Sequence, residues 1–225
     1  MKKERKEKIL SVRVIYYLVG FLIMTLGIAI SVKSNLGVSP VSSIPYTITC
    51  VWGIEMGRAT ILFHIALVLL QIILLRRAFQ IKNLLQVPIG IIFGAFTTLC
   101  NSLVAFFPDP SFIGIRILMM LVSTFLIALG IFFYVPADFV PLAGEGAMLS
   151  IAKISGIKFS SIKLAFDISM VVISLITCIA LIGRLGSVGI GTIFAAVLVG
   201  MELKLITRYF GELRDKVMTK QIENA

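Results

Sequence analysis

The residues able to do chemistry in this chain are few, and nearly all of them stand inside or beside apolar sequence. Glu145 lies between Gly144 and Gly146 in PLAGEGAMLSIAKIS at 141–155. The two glycines leave little side-chain cover, so a solute or cation could approach both the carboxylate and the bare backbone. His64 and Asp167 each interrupt a long apolar run. A histidine titrates near neutral pH, and with a buried carboxylate it could form successive stations of a proton path. Each of these groups also has a plainer reading: Glu145 and a lysine as an interfacial ion pair, His64 as a donor to a neighbouring carbonyl, Glu202 as a packing or interfacial charge. Asn35, Asn101 and Asp138 are further polar groups of this kind, and Ser39, Ser42 and Ser43 add hydroxyls in VSPVSSIPYTITCVW at 38–52.

Other chemistry is absent from the sequence. There is no GxSxG, HExxH, Walker or CxxC pattern, and His64 is the only histidine, which argues against an enzyme and against a metal or organic cofactor. Cys50, Cys100 and Cys178 lie in apolar segments without paired spacing and read as small core residues. The net charge of +10 does not indicate nucleic acid, because the basic residues stand at the ends of apolar runs and not in one patch with aromatic residues.

The elements that must position these groups are membrane helices. Of the 225 residues 59% are hydrophobic and 14% charged, and the mean hydropathy is +1.06, beyond ordinary soluble domains. Apolar stretches at about 12–32, 59–75, 84–107, 112–134, 162–183 and 187–207 are each long enough to cross a hydrocarbon core of about 30 Å. With six spans and the N-terminus inside, 17 of the 21 Lys and Arg fall on the cytoplasmic side and only Lys33, Arg58, Arg116 and Arg184 outside. That places the tails, 1–11 and 208–225, in the cytoplasm of a bacterial-type inner membrane. Segments 38–52 and 141–155 are apolar but short and broken by Pro or Gly, and are expected to be re-entrant.

Sliding the sequence against itself exposes a repeat. LGIAI at 26–30 meets LGIFF at 129–133, and GIEMGRATILFHIALVLL at 53–70 meets GIKFSSIKLAFDISMVVI at 156–173, both at an offset of 103. The polar residues follow: Asn35 aligns with Asp138, His64 with Asp167 and, after a two-residue shift, Asn101 with Glu202. The chain therefore reads as one all-α polytopic membrane domain over 1–225, with repeats at 12–107 and 112–207. Three spans per repeat make the halves inverted, a 3+3 plan that places a site at interrupted, matching segments near the bilayer middle.

SNLGVSPVSSIPY at 34–46, PLAGEGAMLSIAK at 141–153, KLAFDISMV at 163–171 and GTIFAAVLVG at 191–200 together make the chain resemble the uncharacterised bacterial membrane proteins grouped as YczE/YyaS/YitT-like. The resemblance covers nearly the whole chain and implies a polytopic inner-membrane protein without an agreed substrate. Function must come from the site. The repeat and the broken segments favour a secondary transporter or exporter of a small solute or ion; a substrate-capturing subunit for a separate energy-coupling module, or a structural or regulatory membrane protein, are the alternatives. The intramembrane charges are acidic, which leans towards a cation or zwitterion. Expected partners are the lipid bilayer and the solute, with a homo-oligomer possible and no nucleic acid.

Overall fold

The computed structural model describes residues 2–223, with side chains placed from residue 10 to residue 217. Among the described residues there is no strand, and eight α-helices follow one another: α1 (Lys2–Ser34), α2 (Pro40–Trp52), α3 (Met56–Leu75), α4 (Gln86–Ala105), α5 (Ile113–Tyr134), α6 (Ala143–Ser155), α7 (Phe159–Ile182) and α8 (Ile190–Glu223). Six of them, all but α2 and α6, are long and apolar enough to cross a membrane. α2 and α6 have 13 residues each, about 20 Å at 1.5 Å per residue, and fall short of a hydrocarbon core of about 30 Å. Large apolar side chains such as Ile73, Leu118 and Ile193 stand exposed on the long helices, as lipid-facing surfaces require.

Local backbone structure recurs in the two halves at the same offset of 103. α2 and α6 begin at Pro40 and Ala143 and end against Gly53 and Gly156, both left-handed, at φ 67° and 69°. The residues before them, Ser39 and Leu142, share ψ near 150° (152° and 153°), and α3 and α7 start at Met56 and Phe159. Pro40 suits the first turn of α2, where its missing N–H would have had no partner. Asn35 and Asp138 are the turns into the short helices, both left-handed at φ 54° and 47°, a region that Asn and Asp tolerate better than other side chains. Neither Gly53 nor Gly156 has an atom within 4 Å of an added Cβ, so backbone conformation alone demands them. Gly53→Ala and Gly156→Ala should each cost about 1 kcal/mol, and by similar amounts, measured as unfolding in mixed detergent.

The halves are joined along α1 and α5. A Cβ on Gly20 would stand 2.8 Å from the Gly130 carbonyl oxygen, one on Gly130 would stand 2.6 Å from that of Gly20, and one on Gly27 would stand 2.9 Å from that of Ser123. The helices thus run antiparallel with their backbones in contact. The offset of 103 turns Gly20 into Ser123 and Gly27 into Gly130, so one contact is the two-fold image of the other. Without a hydrophobic force between helices in lipid, close approach through small residues is what holds such a crossing. The same exchange governs the rest of the bundle: α4 packs on α1 as α8 does on α5, and each short helix crosses over, α6 onto α3 and α2 onto α7. One relation is broken. α3 and α4 pack closely, whereas α7 and α8 scarcely touch.

Candidate functional site

The first turns of α2 and α6 meet. A Cβ on Gly144 would lie 3.7 Å from Val41 Cγ1 and 4.0 Å from Leu67, and Val41 and Gly144 are themselves related by the offset. Hydroxyls seat α2 on α7: Ser174 Oγ donates to Ser43 Oγ (3.0 Å), Thr47 Oγ1 and Ser187 Oγ share a hydrogen bond (2.6 Å), and Cys178 Sγ lies 3.7 Å from Thr47. Ser39 Oγ donates to Ser42 Oγ (3.0 Å) and Ser43 Oγ to Pro40 O (2.6 Å). From this junction α2 runs towards the end of the bundle holding Lys33 and Asp109, and α6 towards the end holding Lys153 and the α3–α4 loop. Two helix N-termini, each carrying a partial positive charge, therefore face each other inside the protein. Neither Ser39 nor Leu142 caps them with a side chain.

Glu145, in the first turn of α6, is the carboxylate at this junction. Tyr134, fully buried at the end of α5, donates its hydroxyl to Glu145 Oε1. Tyr17 packs edge-on against Tyr134, ring centroids 5.8 Å apart, and donates to the Val140 carbonyl at 2.5 Å. On α7 the Lys163 ammonium binds Asp167 Oδ2 at 2.7 Å. Asp167 Oδ1 is buried without a partner.

His64 has different company. It is buried in the α3–α4 interface, its ring stacked on Phe93 (5.5 Å, 13° between planes), and a Cβ on Gly90 would stand 2.8 Å from its Nδ1. That nitrogen has no hydrogen-bond partner among the described residues. No hydrogen bond or ion pair links His64 to Asp167 among the described residues, despite their matched positions. Asn101 Nδ2 donates to the Thr97 carbonyl of its own helix (2.9 Å), whereas Glu202 Oε1 accepts from Thr124 (3.2 Å), so this aligned pair also has separate partners. Asn35 and Asp138 are exposed.

A polar cluster that reasoning from the sequence missed adjoins α6. Gln71 and Gln86 are wholly buried, 0% and 1% exposed. Gln71 Nε2 donates to Gln86 Oε1 (2.8 Å), Leu67 O (3.3 Å) and Ala143 O (3.2 Å), and Gln86 Nε2 returns a bond to Gln71 Oε1 (3.3 Å). Gly146 lets them close: a Cβ there would lie 2.5 Å from Gln86 Nε2. The amides open onto a cavity of about 150 Å³ that Gln80, Asn83, Ser150 and Lys153 also line. The available signal was an uncharged polar residue inside each of two spans, which lipid makes as informative as a charge. Gln71 and Ser174 are related by the offset, as are Gly146 and Ser43, so the contacts Gln71–Gly146 and Ser174–Ser43 are images of one another.

Among the described residues no group of three or more His, Cys, Asp or Glu could hold a metal ion. No curated protein and no solved structure matches the chain. One family does match, over residues 11–208, and with nearly all of the bundle covered the chain belongs to it: DUF6198, a family of unknown function.

Proposed function

We propose that this protein carries a small solute or ion across the membrane, binding it where the two short helices meet. The observation that carries the reading is the meeting of two uncapped half-helices, first turn to first turn at Val41 and Gly144, with the Glu145 carboxylate one residue away. Interrupted helices facing each other at the junction of inverted halves are the arrangement in which secondary transporters hold a substrate. A backbone that breaks inside lipid leaves N–H groups that need a protein or solute partner. Glu145 supplies the charge at the junction, able to meet a cation or to carry a proton with the solute. Rocking of one half against the other about the α1–α5 crossing would open the junction to each side in turn.

The test is flux through liposomes containing the purified chain, with amines, small carboxylates, amino acids and inorganic ions as solutes. One chemical class should move faster than in empty liposomes. Glu145→Gln keeps the shape and the acceptor for Tyr134 but removes the charge. It should lower that flux about tenfold or more, the effect of losing one charge-assisted hydrogen bond, while the melting temperature in detergent stays within a few degrees. Flux equal to that of empty liposomes for every class would sink the reading. Tight binding of a solute without flux would instead indicate a capture subunit.

A further inference from the structure

Four basic residues stand apart from the basic loops and tails that hold the other 17: Lys33, Arg58, Arg116 and Arg184. In the structure two of the four converge. Lys33, at the end of α1, and Arg116, at the start of α5, line a cavity of about 380 Å³ together with Asn35, Tyr46 and Asp109. Two cations against one carboxylate leave a positive charge around the opening. Membrane orientation does not account for this, because the positive-inside rule works against basic residues at this end. A surplus of positive charge around such an opening draws in anions.

The disposition of the charges says what the cavity is built to hold. Lys33 is largely buried, its side chain 16% exposed, and its ammonium sits 2.6 Å from Asp109, whose side chain is 90% exposed. Arg116 Nε donates to the Pro110 carbonyl (2.9 Å), which fixes the guanidinium at the wall; no carboxylate lies within ion-pair distance of it among the described residues. A buried cation thus holds an exposed carboxylate on a loop, as a tethered anion would be held. We infer that this cavity binds a small anion through a carboxylate or phosphate group, with Lys33 and Arg116 as its charge partners and Asp109 as a built-in competitor.

Resting on the transport reading, the cavity is the mouth of the path and the solute is an anion. Glu145 and Asp167, which leaned towards a cation, each have a partner in the protein: Tyr134 for Glu145 and Lys163 for Asp167. The half-helix N-termini are positive, and the cavity at the opposite end is lined by amides and Lys153 without a carboxylate. Glu145 then serves as the proton companion of the anion.

The experiment measures melting of the whole purified chain in a neutral detergent against sodium phosphate and sodium acetate, with sodium chloride and choline chloride at matched ionic strength as controls. Phosphate or acetate should raise the melting temperature by mass action. Lys33→Gln and Arg116→Gln should abolish the rise. Asp109→Asn should sharpen it, moving the half-effective concentration down by about three- to tenfold, because the competitor is gone. A purely structural ion pair predicts the reverse, a lower melting temperature in Asp109→Asn and no anion response in any form. No response to either anion in a cooperatively melting protein would overturn the inference, as would an unchanged response in Lys33→Gln. The same melts in nanodiscs of phosphatidylglycerol and of phosphatidylcholine separate a lipid headgroup from a free anion. A rise that needs phosphatidylglycerol and Lys33, and is not given by free anions, would overturn the entrance role. Flux of cations alone, with no anion response, would defeat this inference and leave the transport reading standing; an anion response without any flux would do the opposite.

Discussion

Replacing Gly130 with leucine is expected to leave the purified chain without a cooperative melting transition. A Cβ there already stands 2.6 Å from the Gly20 carbonyl oxygen and 2.8 Å from the Met24 backbone nitrogen, and backbone cannot rotate aside as a side chain can. Overpacking usually costs about 1–3 kcal/mol when neighbours can shift. Here the only relief is to move α1 from α5, the most extensive helix pairing in the protein. That movement opens the Tyr17–Phe21–Tyr134 aromatic cluster and the Tyr134–Glu145 hydrogen bond with it. Gly20→Leu should do the same, since it meets the Gly130 carbonyl at 2.8 Å. Gly200→Leu is the control, because nothing lies within 4 Å of a Cβ there on an exposed face of α8. Thermal melts followed by size-exclusion profiles decide it: a monodisperse, cooperatively melting Gly130→Leu protein would show that the crossing is not held by glycine contact.

The Gln71–Gln86 pair carries the second large effect, and its signature is non-additivity. Gln71→Leu leaves Gln86 buried with its amide unanswered and removes the bond to the Ala143 carbonyl that holds α6 in place. The cost should be about 1–3 kcal/mol, towards the lower end because an unfolded helix in lipid also finds partners. Gln86→Leu should cost a similar amount. The double variant should cost clearly less than the sum, since removing both partners leaves no orphaned amide. Gly146→Ala probes the same place from the other side, pushing a methyl into the pair at 2.5 Å. Unfolding in mixed detergent for the four proteins of the cycle supplies the measurement, and additive costs would mean that the two amides do not depend on each other.

Much of the architecture was legible because lipid is a demanding solvent. A span needs about 20 apolar residues, and the stretches read at 12–32 and 112–134 correspond to the apolar parts of α1 and α5. The prolines and glycines within 38–52 and 141–155 marked the short segments, since proline and glycine leave a local trace of interrupted helix in residue type. The offset of 103 was visible for the same reason: the turns at Asn35 and Asp138 require polar residues of a particular shape. The matched polar residues have differing surroundings. Asn35 and Asp138 both hold left-handed turns, and the aligned pairs His64 with Asp167 and Asn101 with Glu202 have unrelated partners.

Span number, the two broken segments and the register between the halves were therefore determined by the sequence alone, because each depends on local properties, hydropathy over a window or backbone preference at one residue. Only the tertiary structure decided that Val41 meets Gly144, that Gln71 and Gln86 close over Gly146, that Tyr134 binds Glu145, and that Lys33 and Arg116 line one cavity. Those pairings join residues far apart in the chain. They depend on how helices cross, and in lipid that is set by which small residues allow close approach and not by hydrophobicity, which every span shares.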